Sequence, residues 1–397
     1  MNPRKELARM NSNWTEYELG TILYMEKGKK PKKQSAEMAD GFLPYVDIKA
    51  FEKGIVDSYA SPEKCVLCDD GDLLIVCDGS RSGLTGRAIK GVVGSTLSKI
   101  SADGLTTEYL RYFIQSKYTL LNTRKKGTGT PHLNAQILKQ SKLIVPPLPE
   151  QERIVARIEE LFSELDKAVE TLKTTKQQLT IYRQAVLKEA FEGDYPKIPL
   201  KNISKAISGY AFKSKKYTAD GQYVVVKIGN VKQFKFDFSR DLTKTNEIDE
   251  DILKKYLLKQ GDCLITLTGS RGKRDYGFVS MITNQDNYLL NQRVAALRFN
   301  LDKALPEFYQ YYLSSFDYKN QFFSYETGNV GQGNVGIKAL TDTIVVCPSL
   351  EQQKKIVLAI EACMSTCDSI EKTVDTTLQQ TEAMRQSILK QAFEGGL

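Results

Sequence analysis

Apolar positions after Pro149 recur in alternating steps of four and three: Ile154, Ile158, Leu161, Leu165, Ala168, Leu172, Thr175, Leu179, Tyr182 and Val186. The same steps return as Ile356, Ile360, Cys363, Cys367, Ile370, Val374, Thr377, Thr381, Met384 and Ile388. This is a heptad seam, the pattern by which one helix packs along another. Each stretch predicts a helix of about 40 residues, roughly 60 Å long at ~1.5 Å per residue. Helices of that length need a partner along their length, and the obvious partner of each is the other. A whole domain lies between them in the chain, so they are expected to pair antiparallel. Pro146-Pro147 and Pro348-Ser349 should stop a preceding strand, and Gly193 and Gly395 should end the helices.

The two stretches are copies. Arg183 to Gly193 reads RQAVLKEAFEG and Arg385 to Gly395 reads RQSILKQAFEG. A constant offset of 202 runs back without a gap to Pro146 and Pro348, and 22 of the 48 positions are identical. The period is too long for a solenoid of 20–50-residue repeats; it marks a duplicated domain with its arm. The intervening blocks are more distant copies of each other. GDLLIVCDGSR, Gly71 to Arg81, matches GDCLITLTGSR, Gly261 to Arg271, and each reads as a turn, a buried strand and Gly-Ser-Arg. TGTPHLNA, Thr128 to Ala135, aligns with VGQGNVGI, Val330 to Ile337, and an apolar strand follows each, KLIVPP and TIVVCP. Short strands such as YVVVKIGNV mix with helical pieces such as PEFYQYYLSS, so each block is expected to be an α+β domain.

With 397 residues, 41% hydrophobic and 26% charged, the chain has the make-up of an ordinary globular protein of two or three domains. No apolar run approaches the ~18 residues of a membrane span. The polar start, MNPRKELARMNSNW, does not read as a secretory signal, and seven cysteines give no disulfide framework, so a cytoplasmic setting is expected. Charge divides with the repeat: the blocks 1–143 and 198–346 each carry net +6, and the arms 144–197 and 347–397 each carry net −2. Basic blocks suit a polyanion such as nucleic acid, although such a charge also serves solubility.

Catalytic chemistry is hard to assemble. The single histidine, His132, sits in a glycine-rich loop, which nearly excludes a His-based triad or His metal cluster. Cys65 and Cys68 make one C-x-x-C with Cys77 nearby, but a zinc site normally needs a second pair, and the alternation around them fits strand packing better. Cys363 and Cys367 fall on the seam. GQGNVG, Gly331 to Gly336, matches G-x-G-x-x-G, but a strand and not a long helix is expected after it. Neither a phosphate-binding P-loop nor the Asn/Asp-Pro-Pro-Tyr/Phe signature of an amino-methyltransferase occurs. The chain offers basic loop clusters instead. They are Lys29, Lys30, Lys32 and Lys33; Arg81 and Arg87; Lys125; Lys213, Lys215 and Lys216; and Arg271, Lys273 and Arg274. Such groups suit phosphates, and arginine suits guanine edges, unless they are simply solvated loops.

The paired segments PPLPEQERIVARIE and PSLEQQKKIVLAIE, the repeated AFEG endings, the GD-L-I…GS strands, and the loops GTPHLN, GQGN and LNQRV (VGSTL in the first block) resemble the specificity subunit of type I restriction-modification systems. The resemblance covers all but the first dozen residues. It implies an α+β fold with a pseudo-twofold internal repeat: target-recognition domains at 1–146 and 194–346, joined by helical arms at 147–193 and 347–397 that form an antiparallel coiled coil. It implies a non-catalytic DNA-recognition subunit that reads a bipartite target, with the arms acting as a ruler and as a dock for two adenine methyltransferase subunits. The candidate docking residues are Arg183, Gln184, Arg385 and Gln386, taken as exposed arm positions. No cofactor is expected in this chain, since S-adenosylmethionine belongs to the modification subunit, and restriction subunits can join. The other reading is a coiled-coil scaffold whose basic domains bind another polyanion or a protein.

Overall fold

The computed structural model describes residues 14–127, 131–239, 242–246, 248–284, 286–329 and 331–394. Each arm is one unbroken helix, Leu148–Ala190 and Leu350–Glu394. The chain divides into two units, Met1–Lys173 with Asp375–Leu397, and Thr174–Val374. Each unit thus holds one basic head, the beginning of one arm and the end of the other, as antiparallel pairing requires.

In the first head, an antiparallel sheet runs in the order Leu23–Lys27, Leu97–Ala102, Leu73–Val76, Thr85–Arg87. Beside it, Leu43–Val46 pairs in parallel with Gly91–Val93. The second head repeats this plan with Ser204–Ser208, Val294–Phe299, Cys263–Thr266 and Val279–Met281, and with Tyr223–Val226 parallel to Tyr288–Leu290. The registers coincide. Leu97 faces Val76 as Val294 faces Thr266, and Val46 faces Val93 as Val226 faces Leu290.

The strands Leu73–Val76 and Cys263–Thr266 are buried at every position because a core lies on each side of them. Alternate side chains go to opposite faces of a strand. Leu73, Ile75 and Cys77 join the core containing Tyr109, Phe113 and the arms, while Leu74 and Val76 join the core under Val46 and Val93. In the second head, Cys263, Ile265 and Leu267 face one core and Leu264 the other.

The repeated AFEG words are anchors. Phe393, at the end of the second arm, meets Tyr109 and Phe113 edge-on at 5.1 and 5.4 Å. Its counterpart Phe191 meets Phe308 and Tyr312 at 5.3 and 5.1 Å. At the arm starts, buried Gln151 donates to the carbonyls of Gly104 and Pro146 and accepts from the Thr106 amide. Gln353 does the same with Lys303, Pro348 and Leu305. The first arm stops at Ala190, three residues before Gly193, as Phe191 turns into the head; Gly395 lies outside the described residues.

Four of the twenty expected seam positions are displaced by one residue. Ile158, Leu179, Ile360, Cys367, Val374 and Thr381 point inward as expected. Ala168, Tyr182, Ile370 and Met384 are exposed, and Val169, Arg183, Glu371 and Arg385 take their places in the interface. An apolar periodicity of 3.5 leaves adjacent positions equivalent, and ion pairs decide between them here: Arg183 bonds Asp368 and Glu371, and Arg385 bonds Asp166.

Candidate nucleic-acid interface

The loops following Leu73–Val76 and Cys263–Thr266 gather several of the candidate cations. In the first head, Arg81 is exposed and pairs with Glu52, while Lys125 donates to the Ser80 carbonyl at 2.9 Å. Lys27, just before the exposed run Lys29, Lys30, Lys32 and Lys33, donates to Asp78 at 2.9 Å, and His132 Nδ1 lies 2.7 Å from the same carboxylate. Burial raises the Asp78 pKa, but hydrogen bonds from His132 and Lys27 outweigh it and hold the carboxyl below the usual range. The glycine-rich segment with its lone histidine is thus tied to the loop, although Thr128, Gly129 and Thr130 lie outside the described residues. Arg87 points elsewhere, donating to Glu108 at 2.8 Å.

In the second head, Arg271 donates to Glu326 at 3.3 Å. Arg274 adopts a left-handed backbone (φ 46°) and lays its guanidinium 4.9 Å from the Phe323 ring centre. Lys273 is exposed beside them. Lys213, Lys215 and Lys216 are exposed on and beside a single 3-10 turn, Ser214–Lys216; Lys213 and Lys216 line a small cavity of about 90 Å³ with Tyr210 and Tyr217. GQGNVG does not open a long helix: Gln332–Asn334 is a strand paired with Thr268–Ser270, and a six-residue helix, Ile337–Asp342, follows it before the apolar strand.

Both heads open a groove at the same place. In the first, of about 330 Å³, the walls are Asp47 and Ile48 after the parallel strand, Asp78 to Arg81, and Ser95-Thr96. In the second, of about 440 Å³, they are Ile228-Gly229, Thr268 to Ser270 with Asp275, and Arg293, with Lys232 and Gln332 added. The strand registers make Thr96 and Arg293 equivalent. Each carbonyl accepts from the matching backbone amide, Cys77 at 2.8 Å and Leu267 at 2.9 Å. Sequence reasoning passed over Lys232 and Arg293; the only signal was LNQRV set against VGSTL.

The cysteines do not point to a metal. Among the described residues, no group of three or more His, Cys, Asp or Glu could hold one. Cys68 is buried with its thiol directed at the carbonyls of Ile89 and Gly91, and burial pushes its pKa up to about 11, so it stays protonated. Among the described residues, no helix is long and apolar enough to cross a membrane.

The docking candidates separate. Gln184 is exposed as expected. Arg183 and Arg385 are not: their side chains keep only 22% and 21% exposure, because each turns across to the acidic residues of the other arm. Arg385 also lies 4.9 Å over the Phe162 ring. Gln386 is half-buried beside Lys117 and Phe393. The outer surface near Arg183 instead carries apolar side chains, Ile181 (70% exposed) and Tyr182 (52%), with Met384 (52%) at the position equivalent to Tyr182.

A family model described as the type I restriction modification DNA specificity domain matches twice, over residues 11–180 and 192–380. The chain is 26% identical to the MjaVIII specificity subunit of Methanocaldococcus jannaschii, covering 98% of this chain and 93% of that one. It is 22% identical to the EcoKI specificity subunit of Escherichia coli K12, covering 98% and 90%. Among solved structures, a chain from a study of type I R-M complex assembly matches with a TM-score of 0.73 at 19% identity, over 98% of this chain and 99% of that one. The HsdS subunit from Thermoanaerobacter tengcongensis matches with a TM-score of 0.56 at 18% identity, over 97% of each. Both likenesses are of fold. A model that matches both halves of the internal repeat places the chain: it belongs to the type I restriction-modification DNA specificity family, as a DNA-recognition subunit and not a catalytic one.

Proposed function

We propose that this chain reads a two-part duplex target, one half-site by each head (1–146 and 194–346), and carries two adenine methyltransferase subunits on its arms. The observation that supports this best is the pair of equivalent grooves, one per head, built on the same strand registers but lined by different side chains. Two unlike readers on one repeated scaffold are what two unlike half-sites need. Exposed loop cations around the grooves supply phosphate contacts that position the duplex without reading it. The modification subunits bring S-adenosylmethionine and the methyl-transfer chemistry; this chain brings the address. Restriction subunits can join the same assembly, in the cytoplasm where the chromosome lies. The outward residues Ile181, Tyr182, Gln184 and Met384 are the docking positions, and the residue count of the arms sets the gap between half-sites.

The test is to express the chain with its modification subunit in a host lacking other adenine methylation and to map methylated adenines genome-wide. A single motif of two short blocks separated by a fixed non-specific gap is expected. The purified chain alone should transfer no methyl group. Scattered methylation without a two-part motif, or activity in the single chain, would sink this reading.

A further inference from the structure

The groove of the second head holds charge that the rest of the structure leaves uncommitted. Among the described residues, Arg293 and Lys232 have no hydrogen-bond or ion-pair partner for their side chains, whereas Arg271 is bound to Glu326. Arg293 is also held at φ 70°, in the left-handed region that suits glycine and is rarely adopted by a bulky residue. Nothing in the fold needs an arginine there. The equivalent position in the first head is Thr96, on the same strand register and with the same carbonyl bond. Strain kept at an exposed, unpartnered side chain points to a role in binding.

The groove's chemistry separates a base edge from a phosphate. A phosphate site gathers donors only. Here a carboxylate stands among the cations: Asp275 accepts from the Ser270 amide at 2.6 Å and hydroxyl at 3.1 Å, which hold it ionised and fixed. A carboxylate repels phosphate but accepts from the exocyclic amine of cytosine or adenine, and the amide of Gln332 adds a mixed donor and acceptor. Donors and acceptors side by side match the major-groove pattern of bases. In the first head the groove's charges are already engaged: Asp47 caps a helix, Asp78 is bound by Lys27 and His132, and Arg81 by Glu52.

We infer that Arg293 is a specificity-determining residue, donating through its planar guanidinium to O6 and N7 of a guanine in the half-site read by the second head. The inference rests on the functional reading above. Lys232, which lines the same groove, assists, and the first head has no such donor because Thr96 stands in place of Arg293.

The test compares wild type, Arg293→Ala and Arg293→Gly, each with its modification subunit, by genome-wide mapping of methylated adenines and by thermal unfolding. In both variants one guanine of one half-site should lose its preference, by roughly 5- to 150-fold for a bidentate pair, while the other half-site and the gap stay unchanged. Arg293→Gly should unfold at the same or a higher temperature, since glycine accepts the left-handed backbone. That combination, kept stability with lost specificity, is not what a structural residue would give. If wild type yields a two-part motif and both variants keep it, or lose affinity evenly at every base, this assignment is overturned and the functional reading stands. If wild type yields no two-part motif, the functional reading falls and the assignment with it.

Discussion

Arg183 donates to Asp368 at 2.6 Å, and the same guanidinium donates to Glu371 at 2.8 Å, so one arginine of the first arm engages two carboxylates of the second. The repeat offset carries the pair onto Arg385 and Asp166. An antiparallel pair of copied helices therefore carries the arginine–aspartate contact twice, with Glu371 added in one copy where the other has Val169. Heptads alone permit several registers, and a buried or half-buried polar contact excludes most of them.

Arg183→Ala should destabilise the second unit by about 1 kcal/mol in urea unfolding, the upper end for a partly exposed pair. Double-mutant cycles should give a larger coupling to Glu371 than to Asp368, because Asp368 is 74% exposed and well screened. The hydrogen bond from Arg183 holds the Glu371 carboxyl below its ordinary range, against the opposing effect of burial. Its contribution is present in full above the unfolded glutamate value of about 4.3 and is lost as pH falls through the lower folded value. In Arg183→Ala that part of the acid dependence should vanish. Equal couplings, or an unchanged acid limb, would count against the lock.

Docking should fail when the outward apolar face is charged. Ile181→Asp with Tyr182→Asp alters positions 70% and 52% exposed, so helical content and unfolding should barely change. Co-purification of the modification subunit should drop at least tenfold, and duplex DNA should still be bound. Ile158→Asp is the contrast: it puts a charge where exposure is 0% and should cost several kcal/mol and unfold the first unit. Unimpaired co-purification by the double variant would place the dock elsewhere.

Replacing Arg271, Lys273 and Arg274 together with Ala should flatten the slope of log K against log salt by roughly 0.9 for each phosphate that is no longer neutralised. Lys273 should account for most of it, because Arg271 is bound to Glu326 and Arg274 lies over Phe323. The methylated motif should keep both half-sites. A slope equal to wild type would return these residues to the role of solvated loop.

Lys319 gives the second head a dependence on alkaline pH. Its ammonium lies over the Phe278 ring, donates to Gln233 Oε1 at 3.0 Å, and is pushed by burial down to about 8. An unfolded lysine titrates near 10.4, so between these values the unfolded chain binds more protons and stability rises with pH. Below about pH 8 both states are charged and the folded chain bears the whole cost of burying the charge. Lys319→Met should therefore raise the unfolding temperature at pH 7 and remove the rise above pH 8. A Tm that is flat from pH 7.5 to 10 in wild type would be the contrary result.

Much of this architecture was legible in the amino-acid order. A heptad sustained from Ile154 to Val186 can only be a long packed helix, and its repetition at one offset made the second copy the natural partner. The strands Leu73–Val76 and Cys263–Thr266 were readable because unbroken apolar runs beside glycine turns need a core on both faces. Family membership followed from the copied words around Phe191 and Phe393, whose rings prove to be the anchors of the arms. The tertiary structure decided what periodicity leaves degenerate. Whether Tyr182 or Arg183 enters the interface depends on the side chains opposite, and carboxylates at Asp368 and Glu371 drew the arginine inward. It also decided which cations are free. Arg271 and Arg293 look alike as letters, but one is held by Glu326, fifty-five residues away in the chain, and the other stands open in a groove built from segments more than a hundred residues apart. Charge pairing at such separation has no local signature, so only the folded chain could show it.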